Sequence, residues 1–334
     1  MTTLSEIGEF GLIRRFSPPF LKRLPKDVLG IGDDCAVLPW KGRTRLLVTT
    51  DMLVEDIHFL RAKIPARDLG YKSLAVNLSD IAAMGGRPEA AFLSLGIPAE
   101  ISVAWLDAFF GGLKYLAAAE SVPLLGGDTT KSPGPLIINI AVIGRADRER
   151  IKFRSGAKPG DLICVTGELG DSGGGLRVIL EDRPLDKDER YLARKHNRPR
   201  PHLEEGAWLA RQAGVTAMMD VSDGIDSDLR RIMERSRCGV AVDLDRLPVS
   251  APLRRTAEKR RWNVHEVAAA GGEDYCLLAA VRADHIEKIE AGFRRKFGRP
   301  LFVIGRVTEH KTGLKYFSGR IPAKLGRRGF DHFG

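Results

Sequence analysis

Residues 70–86 read GYKSLAVNLSDIAAMGG, and two spacings overlaid in this stretch decide how the chain is read. Leu74, Leu78 and Ile81 fall at i, i+4 and i+7, the stripe by which a helix packs on a core. Beside it run Ser73, Asn77 and Asp80, so an amide and a carboxylate lie on one helix face and point the same way. No lysine or arginine follows Lys72 until Arg87, which weighs against a merely solvated face. The spacing predicts a helix over residues 66–85 that packs on a sheet and offers polar atoms to a ligand.

Working outward, aspartates recur after apolar runs and among small residues. They are Asp33 and Asp34 in GIGDD, Asp51 in LLVTTD, Asp80 in NLSD, Asp128 in LLGGDTT, and Asp220 and Asp223 in MMDVSDG. A carboxylate at the end of a buried strand is costly to desolvate unless a cation or hydrogen-bond donors meet it. Neighbouring Gly, Ser and Thr leave room for ligand oxygens and offer backbone N–H groups to phosphate. The pattern implies turns that together collect a metal and phosphate site.

From Val28 to Ile143, strand-like runs alternate with helical stretches at 66–85 and 102–121, one α/β layer. Residues 145–161, RADRERIKFRSGAKPGD, are polar and charged and read as a domain link. The pattern then restarts, with strands in LICVTG, AMMDVS, GVAVDL, YCLLAAV and LFVIGRV, and helices in GLRVILED, EEGAWLARQAG and DSDLRRIMERS. With 334 residues, two α/β domains are expected, 1–150 and 151–334.

Composition narrows the function classes. The chain is 43% hydrophobic and 29% charged, as in ordinary globular proteins. Cys35, Cys164, Cys238 and Cys276 lie far apart with no C-x-x-C pair, against a zinc site or a disulfide framework and in favour of a reducing cytoplasm. The first residues, MTTLSEIGEFGLIRRF, lack a continuous apolar core, and no run approaches the ~18 apolar residues of a spanning helix, so no membrane partner is expected. The net charge of +10 is spread along the whole chain with few interleaved aromatics, which disfavours nucleic acid and suits anionic small substrates.

Several phosphate chemistries are excluded. No G-x-x-x-x-G-K-[ST] occurs, and GGDTTKS lacks the Gly-Lys pair of a P-loop. The protein-kinase H-R-D and D-F-G motifs are absent. Cys35 stands where a Rossmann fingerprint needs its third glycine, and Asp220, Asp223, Asp226 and Asp228 miss EF-hand spacing. What remains is an aspartate-and-glycine site suited to Mg²⁺ held by carboxylates and substrate phosphates.

In order along the chain, GIGDDCAVL, TTDMLVEDIHF, GYKSLAVNLSDIAAMGG, LLGGDTT, RSGAKPGD, DVSDGIDSDL, GGEDY and GFDHF resemble the thiamine-monophosphate kinase family. That family lies within the wider aminoimidazole ribonucleotide synthetase-like group. The resemblance implies a two-domain α/β fold (α+β type mixed sheets), whose N-terminal domain dimerises through its sheet, with ATP in a cleft that the C-terminal domain completes. The implied reaction is ATP-dependent phosphorylation of thiamine monophosphate to thiamine diphosphate in a cytoplasmic homodimer. The family pattern implies Mg²⁺ ligation by Asp34, Thr49, Thr50, Asp51, Asp80, Asp128, Asp220 and Asp223, with Asp51, Asp80, Asp128 and Asp220 central to catalysis. It implies ATP contacts from Gly126, Gly127, Arg154 and Ser222, and substrate contacts from His58, Glu273 and Phe330. Glu55-Asp56 and Asp226 depart from the family form and are expected to add negative charge near the metals. Phe330 departs where tyrosine or tryptophan is frequent.

The rivals are other ATP-dependent members of the group and a basic nucleic-acid or regulatory nucleotide-binding protein. A selenophosphate synthetase-like protein needs a reactive residue in an N-terminal glycine segment, yet the first 34 residues hold no cysteine. The hydrogenase maturation relative uses a C-terminal cysteine, and this chain ends DHFG.

Overall fold

The fold is built around helix α3 (Ala66–Ala83), which the computed structural model buries between two mixed β-sheets. The structure describes residues 4–181, 183–319 and 321–326. Helices α1 (Leu4–Phe16) and α2 (Pro18–Leu21) precede a sheet of β1 (Ala36–Pro39), β2 (Thr44–Val54), β3 (Arg87–Pro98), β4 (Leu124–Ser132) and β5 (Ile137–Asp147). Its order is β1-β2-β5-β3-β4, antiparallel except for the parallel β3–β4 pair, and α4 (Val103–Ala119) crosses between those two strands in sequence. A parallel pair needs such a crossover, whereas a two-residue hairpin serves only antiparallel neighbours.

The second sheet holds β6 (Leu162–Val165), β7 (Val215–Asp220), β8 (Gly239–Asp243), β9 (Leu277–Val281), β10 (Phe302–Thr308), β11 (Leu314–Ser318) and β12 (Ile321–Ala323), in the order β12-β11-β8-β10-β6-β9-β7. Its helices are α5 (Asp171–Leu180), α6 (Lys187–Asn197), α7 (Leu203–Leu209), α8 (Ile225–Ser236), α9 (Ala251–Arg260), α10 (Val264–Ala270) and α11 (Ile286–Phe297). β9 reads LLAAV and is buried at every position, as a central strand covered on both faces must be.

α3 packs on α4, β2 and β5 from the first sheet and on α7 and β7 from the second. Its Leu74, Leu78 and Ile81 are buried as the stripe predicts, but so are Lys72, Ser73, Asn77 and Ser79 on the other faces. A helix buried all round serves two layers at once. Close approach to α4 depends on glycine: a Cβ at Gly70 would lie 1.9 Å from the Phe109 carbonyl oxygen, and one at Gly112 would lie 1.7 Å from that of Arg67. The main core runs without interruption from Leu47 and Ile140 of the first sheet to Met218, Leu277 and Phe293 of the second half. No described helix is long and apolar enough to cross a membrane.

Candidate active site

Three aspartates from three elements meet where α3 touches both sheets. Asp34 sits in the bend before β1, Asp80 in the last turn of α3, and Asp220 at the end of β7. One oxygen from each lies within 4.8 Å of the others. Such a cluster is unfavourable as bare charge. Burial, and then Asp34 beside it, push the Asp220 carboxyl up to about 7. Burial, with Asp51 and Asp220, lifts Asp80 well above the usual carboxylate range. Asp51 rises to about 6 through burial, then through Asp223 and Asp34. The buried Oδ2 of Asp34 has no hydrogen-bond partner among the described residues. An all-oxygen donor set with an unsatisfied buried lone pair fits a hard divalent cation such as Mg²⁺. Cys35 is buried nearby, but burial pushes its thiol far up, so it adds no thiolate to the set.

Neighbouring side chains hold these carboxylates in place. Ser79 Oγ donates to Asp220 Oδ2 at 2.6 Å, tying α3 to the second sheet, and Thr49 Oγ1 donates to Asp80 Oδ2. Asn77 acts through the backbone rather than as a ligand: its Oδ1 accepts from the Asp51 amide at 3.1 Å, while its Nδ2 donates to the Ser73 carbonyl at 3.2 Å. Side chains alternate along a strand, so Thr49 and Asp51 share the face of Leu47 and Leu53 toward α3. Thr50 lies on the opposite face, where Asn139 Nδ2 donates to its Oγ1 at 2.9 Å.

These residues open into a cleft of about 1340 Å³ that also exposes His58, Arg154, Ser222, Asp223 and Glu273. Arg154 donates from its guanidinium to Asp34 Oδ1 at 2.7 Å, and its backbone N–H donates to Asp33 Oδ1 at 2.6 Å. Asp33 therefore fixes the Arg154 backbone and also lies 3.7 Å from Arg235. Asp223 is paired with Arg231, which reaches Asp228 at 3.3 Å on its other side. His58 Nδ1 accepts from the Val54 amide at 3.0 Å, so its ring is oriented by the strand it follows. At the far wall, Glu273 meets Lys72 Nζ at 2.9 Å and His196 Nδ1 at 3.3 Å. Burial pushes the Glu273 carboxyl up, and the Lys72 ammonium with His196 outweighs it, leaving a net lowering.

Not every expected residue joins the cleft. Gly126, Gly127 and Asp128 stand on β4, where all residues but Ser132 are exposed. β5 and β3 separate β4 from β2, which puts Asp128 roughly 14 Å from Asp51 at ~4.8 Å per strand. Gly127 is required there, with φ 153° and no room for a Cβ beside the Leu93 carbonyl. Phe330 lies outside the described residues. The expectation that the aspartates sit in turns needs correction for Asp51 and Asp128, which are within strands, whereas Asp80 lies on α3 as its spacing predicts. Asp226 is engaged elsewhere: Tyr316 Oη donates to it at 2.7 Å and Arg230 pairs with it. Glu55 is likewise engaged, by Arg61 at 2.7 Å and by the Leu136 amide at 2.9 Å. Lys72, His196 and Arg231 escaped the sequence reading, since nothing in their local pattern distinguishes them from surface charge.

Known proteins match the chain over nearly its whole length. Residues 32–146 match the AIR synthase related protein, N-terminal domain, and residues 158–316 match the AIR synthase related protein, C-terminal domain. The chain is 40% identical over 331 residues to the thiamine-monophosphate kinase of Escherichia coli (strain K12), covering 98% of each. It is 35% identical to that of Bacillus subtilis (strain 168), covering 98% of this chain and 100% of the relative. Among solved structures, AaThiL complexed with AMPPCP and TMP is similar at a TM-score of 0.86 and 32% identity, covering 99% of both chains. Thiamine-monophosphate kinase from Stenotrophomonas maltophilia K279a is similar at 0.75 and 37%, covering 94% of this chain and 98% of that one.

Proposed function

Because this chain belongs to the thiamine-monophosphate kinases of the AIR synthase related family, we infer that its cleft joins ATP to thiamine monophosphate. It is a phosphotransferase that converts thiamine monophosphate to thiamine diphosphate in thiamine diphosphate biosynthesis, with ATP as co-substrate. The observation that carries the mechanism is the meeting of Asp34, Asp80 and Asp220 within 4.8 Å at the floor of the cleft.

Asp34, Asp80 and Asp220 would hold Mg²⁺, with Thr49, Asp51 and Asp223 completing the set, whereas the Thr50 hydroxyl is turned to the other face of β2, where Asn139 takes it. When bound, the metal neutralises charge between two phosphate groups that otherwise repel each other. Arg154 suits a phosphate, since its planar fork offers two parallel donors. The substrate phosphate has a second pKa near ~6, so its attacking oxygen is already deprotonated at pH 7 and no general base is needed. That oxygen attacks the γ-phosphorus, the bond from phosphorus to the β–γ bridging oxygen breaks, and ADP leaves with those electrons. The chain's own work is positioning. Asn77 and Asn139 hold the β2 backbone at Asp51, Ser79 and Thr49 aim two carboxylates, and Ser222 with Arg154 lines the nucleotide side. His58, Glu273 and Phe330 serve the thiamine end. Transfer is direct, with no phospho-enzyme.

We place the domain boundary at 150/151, so that 1–150 carries the aspartates of the first sheet and 151–334 completes the cleft. The proposed assembly is a cytoplasmic homodimer joined through the first sheet. Exposed Leu124 and Leu125 on β4, with Phe92 beside it, support that face, because a bare apolar edge strand invites pairing. In this arrangement Gly126, Gly127 and Asp128 serve the partner's cleft rather than their own. Incubation with Mg²⁺, ATP and thiamine monophosphate must yield thiamine diphosphate and ADP, with thiamine itself as the control; transfer to thiamine instead would refute the assignment.

A further inference from the structure

The thiamine end of the cleft contains a buried cation that the phosphoryl-transfer chemistry leaves unexplained. Lys72 lies on α3 with its side chain 1% exposed. A buried ammonium persists only when paired. Its partners come from the other half of the chain: Glu273 Oε1 at 2.9 Å, in the segment after α10, and His196 Nε2 at 3.4 Å, at the end of α6.

Lysine can only donate, so His196 Nε2 accepts and the ring hydrogen sits on Nδ1. That hydrogen faces Ser172 Oγ at 3.0 Å and Glu273 Oε2 at 3.3 Å. Burial, then the neighbouring Lys72, pull His196 down to about 4, which keeps it neutral at physiological pH. Both oxygens of Glu273 are thus held from one side, while the side chain keeps 26% exposure as part of the cleft wall. The backbone at Glu273 is left-handed, with φ 63°, a strained conformation for a residue with a side chain. A bond from its amide to the Ser222 carbonyl, 2.7 Å long, holds it there. Strain, a buried lysine and a neutral histidine converge on one carboxylate.

We propose that Lys72, assisted by His196, is a positioning residue that presents Glu273 as a fixed carboxylate to the cationic heteroaromatic end of the substrate. The inference rests on the kinase reading above. It deepens that reading by making α3, which carries Lys72 about two turns before Asp80, the element that aligns both substrates. A purely structural ion pair would lower stability and affect both substrates alike. The positioning role acts on one substrate only, and it acts through charge. The groups facing Glu273 are Lys72 from α3, His196 from α6, His58 after β2 and Tyr275 two residues on; without Lys72, burial raises the carboxyl and acid weakens substrate binding.

The test is calorimetric titration of thiamine monophosphate, and separately of AMPPCP with Mg²⁺, into the full chain and into Lys72→Met and His196→Gln. Lys72→Met is expected to weaken thiamine monophosphate at least tenfold at pH 7, with the gap widening from pH 8 to 6, and to leave AMPPCP within twofold. His196→Gln is expected to weaken thiamine monophosphate about threefold with the same selectivity. Equal losses for both ligands, or wild-type affinity for thiamine monophosphate in Lys72→Met, overturn the positioning role. Should Lys72→Met fail to fold, unchanged affinity in folded His196→Gln overturns it. No binding of thiamine monophosphate to the wild-type chain overturns the kinase reading as well.

Discussion

Replacing Asp220 by Asn should stabilise the metal-free protein while removing its response to Mg²⁺. The side chain keeps its shape, and its Oδ1 can still accept the Ser79 hydroxyl, so the change removes charge while that hydroxyl keeps a partner. Burial and Asp34 raise the folded-state carboxyl from 3.8 to about 7. A raised folded value means that the folded state holds its proton longer than the unfolded one. The penalty is therefore absent below pH 3.8, grows as pH rises through that window, and is complete above 7. That rise corresponds to about 4 kcal/mol at pH 8, of which less than ~1 kcal/mol remains at pH 4. Mg²⁺ narrows the gap by acting on wild type alone, adding about 2.7 kcal/mol at a hundred times its dissociation constant. Melting curves at pH 8 with chelator and with Mg²⁺ test both halves, alongside thiamine diphosphate formation. The reasoning fails if Asp220→Asn with chelator melts below wild type at pH 8, or if it keeps the full Mg²⁺ shift.

Three further outcomes follow from other parts of the molecule. If Asp51 and Asp128 of one cleft come from different protomers, mixing inactive Asp51→Asn and Asp128→Asn chains one to one should restore about a quarter of wild-type activity, since half the dimers then carry one intact site; no recovery would place both in one chain. Burial depresses His202 to about 3, so its stabilising term is full above pH 6.5 and fades as pH falls toward 3. Between pH 8 and pH 5 wild type should lose about 2 kcal/mol relative to His202→Asn, read from paired denaturation curves. Gly112→Ala, whose new Cβ would meet the Arg67 carbonyl oxygen at 1.7 Å, should separate α3 from α4 and cost at least ~2 kcal/mol, seen as a lower denaturation midpoint with reduced Mg²⁺ affinity.

The helical spacing over 70–86 was legible because a stripe of Leu and Ile at i, i+4 and i+7 has few other uses. Its polar face was legible as a shared direction, but its division of labour was not. Asp80 enters the carboxylate cluster, Asn77 braces a neighbouring strand, and Ser79 ties down Asp220. The ordered motifs also mark Asp34, Asp220, Arg154 and Glu273, all of which line one cleft. Asp226 shows the opposite case, since it looks like part of the same acidic run yet is claimed by Tyr316 from a strand 90 residues away.

What the sequence alone determines is therefore chemical: hard oxygen ligands, phosphate partners, two α/β layers and the residues that mark the family. These are carried by residue type and short spacing, which are local. What only the tertiary structure decides is which charges meet. Lys72 reads as a surface lysine until α3 is enclosed by two sheets, and only then does burial force it onto Glu273, 201 residues along the chain. Asp128 reads like its fellows until three strand spacings remove it from them. Electrostatic energy depends on distance and on the surrounding dielectric, and both are properties of the folded chain rather than of its order.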